Sequence, residues 1–246
     1  MYFSWSGWLH RQFKSFRKGR RSGIHPLRRR MHLEQLEERL APATYTVTGA
    51  GDGAGAVVQT GPDTFTATTL RAAINATNLN PGHDTINFSI GMGAQTISVG
   101  QATGMPLPTI IDPVILDGTT QPGFAGMPLI ELEGTNAGGN AVGLTITAGS
   151  STVRGLVINR FNGGGVLLQT LGSNTIAGNF IGTDNTGLNS RFNVNYGIFI
   201  NDVPDNIIGG TTAGDRNLIS GNDAAFNIDG VKISGANAQN NRLTAQ

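Results

Sequence analysis

Three short segments recur at a fixed spacing in the C-terminal third of the chain, and no other feature of the sequence restricts its fold as strongly. Gly165-Val166-Leu167-Leu168-Gln169, Gly197-Ile198-Phe199-Ile200-Asn201 and Gly230-Val231-Lys232-Ile233-Ser234 set their leading glycines 32 and 33 residues apart. A second series, Asn174-Thr175-Ile176, Asn206-Ile207-Ile208 and Asn241-Arg242-Leu243, follows at spacings of 32 and 35. Between them lie Leu156-Val157-Ile158-Asn159, Asn179-Phe180-Ile181-Gly182 and Asn217-Leu218-Ile219-Ser220. Each period therefore carries three strand-like pieces.

Alternation within the pieces sends Val166/Leu168, Ile198/Ile200 and Val231/Ile233 inward and leaves Leu167, Phe199 and Lys232 outward. Strands that return at the same phase bury one aliphatic column per face, at about 1.5 to 3 kcal/mol for each buried side chain. That arrangement is a single-stranded parallel β-helix, with successive turns about 4.8 Å apart. Asn174, Asn206 and Asn241 are candidates for an amide ladder running between turns, and the same residues also read as ordinary corner formers. Composition agrees: with 36 Gly in 246 residues a long-helix bundle is excluded, and with no Cys there are neither disulfides nor thiolate metal sites.

The segment before the repeats has its own pattern. Thr44 to Thr48 alternates as a strand, Gly49 to Gly55 reads as a loop, and Thr68 to Asn78 has the apolar spacing of a short helix with a Thr cap, closed by Asn80-Pro81-Gly82. A helix beside the first turn would cover an otherwise open strand edge. Residues 84–88, 95–99, 110–111, 114–118 and 129–134 supply the strands of the first, less regular turns. The division expected is a leader at 1–43 and a β-helix domain at 44–246, with cap and irregular turns to 150 and regular repeats from 151. Its last turn is begun and not finished, so the expectation is either a fragment of a longer protein or self-association that covers an open C-terminal end.

Charge separates the two parts. Residues 1–43 hold ten Lys/Arg against three Asp/Glu, whereas the remainder holds seven against thirteen, with Lys232 its only lysine. The body offers no basic stripe for phosphates, which argues against nucleic acid as a partner. The leader has no apolar run long enough for a secretory core or a transmembrane helix.

Several runs carry a family resemblance. GNFIGTDNTG at 178–187, NIIGGTTAGDRNLISGN at 206–222 and DGVKISG at 229–235 resemble the turns of bacterial right-handed parallel β-helix repeat proteins of the pectin-lyase-like superfamily. TLRAAINATNLNPGHDTINF at 69–88 is similar to a Cys-Ser-Leu-Arg-Glu-Ala-Ile capping motif, with Thr68-Thr69 in the Cys-Ser positions and Ala72 in the Glu position. Leu33 to Arg39, followed by Leu-Ala-Pro-Ala, resembles an N-terminal tag of large bacterial surface proteins. The resemblance implies a right-handed all-β coil with a short capping helix and an extracellular or cell-surface location. It further implies either a non-catalytic structural or adhesive protein that binds polysaccharide or a surface partner, or a polysaccharide lyase or glycoside hydrolase. Lyases of that superfamily use an acidic calcium cluster with a basic residue, and its hydrolases use clustered carboxylates.

Residues that could serve either reading are few. Glu131 and Glu133 sit two apart on one strand, at roughly the 6 to 7 Å that a carboxylate pair needs. Asp202 and Asp229 belong to adjacent turns. These four are the catalytic candidates, and they read equally as solvent-face and turn positions. For a binding role the candidates are Phe199 and Lys232 on the outward ladder and Arg154, which with Arg160 brackets a strand and would suit an acidic glycan. Calcium is the only cofactor considered, with Asp52 in Gly-Asp-Gly as a fragment of a calcium-binding repeat. His83 is the body's single histidine, which leaves little for a Ser-His-Asp arrangement.

Overall fold

The structure, a computed structural model, describes residues 41–222 and 229–244; the expectations for the leader and its tag lie outside them. Its regular secondary structure is almost entirely sheet. Its elements are β1 (Thr44–Val47), β2 (Val57–Gly61), β3 (Thr64–Ala67), α1 (Leu70–Thr77), β4 (Asp84–Phe88), β5 (Gln95–Ser98), β6 (Val114–Asp117), β7 (Ile130–Glu133) and β8 (Val142–Ile146). Then follow β9 (Thr152–Arg154), β10 (Leu156–Asn159), β11 (Gly164–Gln169), β12 (Thr175–Ala177), β13 (Phe180–Ile181), β14 (Tyr196–Asn201), β15 (Ile207–Ile208), β16 (Leu218–Ile219), β17 (Asp229–Ser234) and β18 (Arg242–Leu243).

These strands fall into three sheets ordered β18-β15-β12-β9-β6-β4-β1-β3-β2, β16-β13-β10-β7-β5 and β17-β14-β11-β8. From β6 onward each strand pairs in parallel with the one three places later. Earlier in the chain β4 pairs with β6, two places on, because the third strand of that period shrinks to a single bridge from Ile110 to Ile146. Pro106, Pro108 and Pro113 flank Ile110 and cannot donate to a ladder, so the strand expected at 110–111 stays this short.

Register turns the sequence repeat into aliphatic columns. In the nine-stranded sheet Phe65, Tyr45, Ile86, Leu116, Val153, Ile176 and Ile208 stand side by side. Tyr45 stacks on Phe65 with ring centroids 4.9 Å apart. The five-stranded sheet aligns Ile97, Leu132, Ile158, Ile181 and Ile219, and the four-stranded sheet aligns Ile146, Leu168, Ile200 and Ile233. Most of these side chains are wholly buried in one shared core. Ile233, expected inward, is 43% exposed because β17 is the outermost strand of its sheet.

Three asparagine ladders join successive periods. Asn174 donates its backbone and amide N–H groups to Oδ1 of Asn206, which does the same to Asn241. Asn179 pairs in this way with Asn217, and Asn193 with Asn222. Buried amides so placed satisfy the backbone groups stranded where the chain leaves one sheet for the next.

Helix α1 lies where the sequence places it. The Thr69 hydroxyl accepts from Ala72 N–H as an N-cap. Arg71 is buried and forms a bidentate pair with Asp52 at 2.9 Å, and it also donates to the carbonyls of Met105 and Pro106. Asp52 in turn accepts from Gly100 N–H. Asp52 thus neutralises a buried arginine. Among the described residues the β2–β3 hairpin, turning at Pro62-Asp63, is the one antiparallel pairing between strands, and its short, mixed pattern carries no periodic signal.

Candidate functional site

The outward ladder expected from the repeats is present on the sheet formed by β8, β11, β14 and β17. Thr145, Leu167, Phe199 and Lys232 are register partners in successive strands. The Lys232 ammonium sits over the Phe199 ring, 4.9 Å from its centroid. Tyr196 meets the edge of the same ring at 5.4 Å. Strict alternation would point Tyr196 inward with Ile198, but Gly197 and Ile198 are both buried, so the alternation slips by one residue. A Cβ at Gly164 would collide with the Tyr196 ring, so glycine is what lets that ring lie flat on β11. Burial raises the Tyr196 pKa, moving it still further from neutrality, where any tyrosine is protonated. Asp229 lies beside Tyr196 in register and is exposed. The face thus offers two rings, a cation that already covers one of them, and a phenol.

The four catalytic candidates do not converge. Asp202 follows the end of β14, whereas Asp229 opens β17 next to Tyr196 at the other end of the same sheet. Asp202 accepts from the backbone and side-chain amides of Asn237, at 2.8 and 2.9 Å, and these bonds hold its carboxyl below the ordinary aspartate range. Glu131 and Glu133 lie on β7, in a different sheet. Each is engaged separately: Glu131 accepts from Thr96 and Asn159, and Glu133 accepts from Thr135 and lies 3.5 Å from Arg160. A proton-sharing pair between them is therefore not formed. Among the described residues no three His, Asp or Glu side chains are grouped to hold a metal.

Arg154 belongs to the nine-stranded sheet and pairs with Asp117 across the ladder at 2.5 Å. Burial alone would raise the Asp117 pKa, but hydrogen bonds from Arg154 and Thr119 outweigh it and hold the carboxyl low. Arg154 is thus committed to a carboxylate and stands on a different sheet from Phe199 and Lys232.

A groove of about 500 Å³ lies elsewhere, where the chain crosses from the five-stranded to the four-stranded sheet. It is lined by Thr135, Arg160, Asn162, Ser190, Arg191, Phe192 and Val194. The Arg160 and Arg191 segments run side by side, Arg160 N–H donating to the Arg191 carbonyl. Arg160 holds a left-handed backbone, φ 61°, that is unusual for a long side chain. The repeat pattern brought out Arg160 as a strand flank but passed over Arg191. The readable signal was a tripeptide, Arg-Phe-Asn, which occurs at both 160–162 and 191–193.

No protein-family model matches the chain. No curated protein matches it either.

Proposed function

We propose that residues 44–246 form a right-handed parallel β-helix of the pectin-lyase-like kind, and that the protein is a non-catalytic, exported or cell-surface structural or adhesive protein. Its ligand would be a polysaccharide or a surface partner, bound on the Tyr196–Phe199–Lys232 face. The observation that carries the fold reading is the pairing of each strand with the one three places on, tied by asparagine ladders from period to period. Support for a non-catalytic role comes from Glu131, Glu133 and Asp202, each held by its own local partners. Among the described residues no helix is long and apolar enough to cross a membrane. The same proposal includes self-association along β17 and β18, where Ile233 and Leu243 are 43% and 49% exposed.

A panel of neutral and acidic polysaccharides tests the proposal, with binding and turnover measured on the same purified protein. The expected result is retained glycan with no new reducing ends and no unsaturated-uronate absorbance, in calcium or in chelator. Binding should fall in F199A and K232Q. Turnover that disappears in E131Q or D202N would replace the scaffold reading with an enzymatic one, and undiminished binding by F199A and K232Q would remove the assigned face. Light scattering that shows monomer at every concentration would end the self-association part.

A further inference from the structure

The groove between Thr135 and Val194 carries positive charge in a body that is otherwise acidic. Arg160 and Arg191 both line it, on two segments that lie side by side. Arg160 is 44% exposed and only loosely tethered, with Glu133 at 3.5 Å, and Glu133 is itself occupied by Thr135. Among the described residues no carboxylate lies within 4.0 Å of the Arg191 guanidinium. The Asn162 amide lies beside Arg160 in the lining, whereas the Ser190 hydroxyl already donates to the Gly221 carbonyl and the Thr135 hydroxyl to Glu133. Phe192, 45% exposed, gives the groove an apolar wall.

From this placement we infer that the groove is a binding site for a tetrahedral oxyanion, the sulfate or phosphate ester group of a ligand whose adjoining apolar surface rests on Phe192. The geometry separates this class from a planar carboxylate. One guanidinium fork saturates a carboxylate in its own plane, whereas two forks and an amide arriving from two chain segments suit an acceptor with oxygens pointing in several directions. Arginine is the residue suited to such a site because it stays charged and presents a rigid donor fork. The site is independent of the Phe199–Lys232 face, so either can stand without the other.

The test is calorimetric titration of the full chain with inorganic sulfate, inorganic phosphate, a sulfated monosaccharide, its unsulfated parent and acetate, at ionic strength held constant with sodium chloride. The basic segment at 1–43 is the same in every variant, so the readout is the difference between parent and R191Q. The expected result is saturable binding of sulfate, phosphate and the sulfated sugar, weakened about tenfold or more in R191Q. The control R216Q, in a separate groove beside Phe180 and Leu218, should bind as the parent does. R160N, whose asparagine tolerates the left-handed backbone, should repeat the loss of R191Q. Stronger binding of the sulfated sugar than of inorganic phosphate would assign the ester to a glycan, and the reverse order would assign it to phosphate. Acetate binding as tight as sulfate, equal binding by folded R191Q, or no saturable binding by the parent would each overturn the inference.

Discussion

At the scale of single residues, buried amides and two arginines do work that hydrophobic pattern alone does not reveal. Asn206 accepts both Asn174 N–H groups through one oxygen and donates onward to Asn241. Replacing it with alanine strands donors on one side and acceptors on the other. Asn206→Ala should lower unfolding stability by about 2 to 4 kcal/mol, measured by denaturant titration, while Asn195→Ala on the surface should stay within about 0.5 kcal/mol of the parent. Asp117 supplies a pH signature. Its carboxyl is held low in the fold, so the stability it contributes is present above the ordinary aspartate pKa of about 3.9 and is lost as pH falls through the depressed folded value. Arg154 is half exposed, so R154Q should cost only about 1 kcal/mol at pH 7. That difference from the parent should begin to shrink as pH drops below the ordinary aspartate range and vanish only once pH has passed the depressed folded value; a pH-independent gap would show that Arg154 acts through packing instead.

At the scale of elements, glycines set the spacing between the sheets. Gly143, Gly165 and Gly197 point their missing side chains into the core, and a Cβ on Gly197 would meet the Gly230 carbonyl, the Ile219 methyl at 2.6 Å and the Asn222 amide at 2.9 Å. Gly197→Ala should therefore destabilise by about 1 to 3 kcal/mol through overpacking, with the near-ultraviolet signal of Tyr196 altered; Gly139→Ala, which meets nothing within 4 Å, is the matched control. Gly165 and Gly197 were legible in the sequence because they stand 32 residues apart, as were the Thr69-capped helix and the strands at 84–88 and 114–117, whereas Gly143, 22 residues before Gly165, falls outside the period. Other parts were not. The Asn193–Asn222 ladder joins residues 29 apart rather than 32, so it falls outside the period. The Asp52–Arg71 pair spans a loop with no pattern, and only the tertiary fold brings its ends together. At the candidate face, the period placed Phe199 and Lys232 correctly side by side, but Tyr196 entered only through the slip at Gly197, which strand alternation does not predict.

At the scale of the whole molecule, everything rests on parallel stacking of successive periods: the aliphatic columns, the amide ladders and the Phe199–Lys232 face all require it. The absence of native cysteine makes a background-free test available. In β11 and β14, Leu167 faces Phe199 and Gln169 faces Asn201. Neighbouring strands bring such partners to about 5 Å between Cα atoms, inside the range a disulfide spans. An antiparallel pairing that kept Leu167 opposite Phe199 would set Gln169 opposite Gly197 instead. Two double-cysteine variants, L167C/F199C and Q169C/N201C, oxidised separately and mapped by mass spectrometry, decide between these arrangements. The account predicts efficient intramolecular crosslinks in both, and little in the mismatched pair Q169C/G197C. Crosslinking of Q169C/G197C with failure of Q169C/N201C would contradict parallel stacking, and the binding face built on it would fall with it.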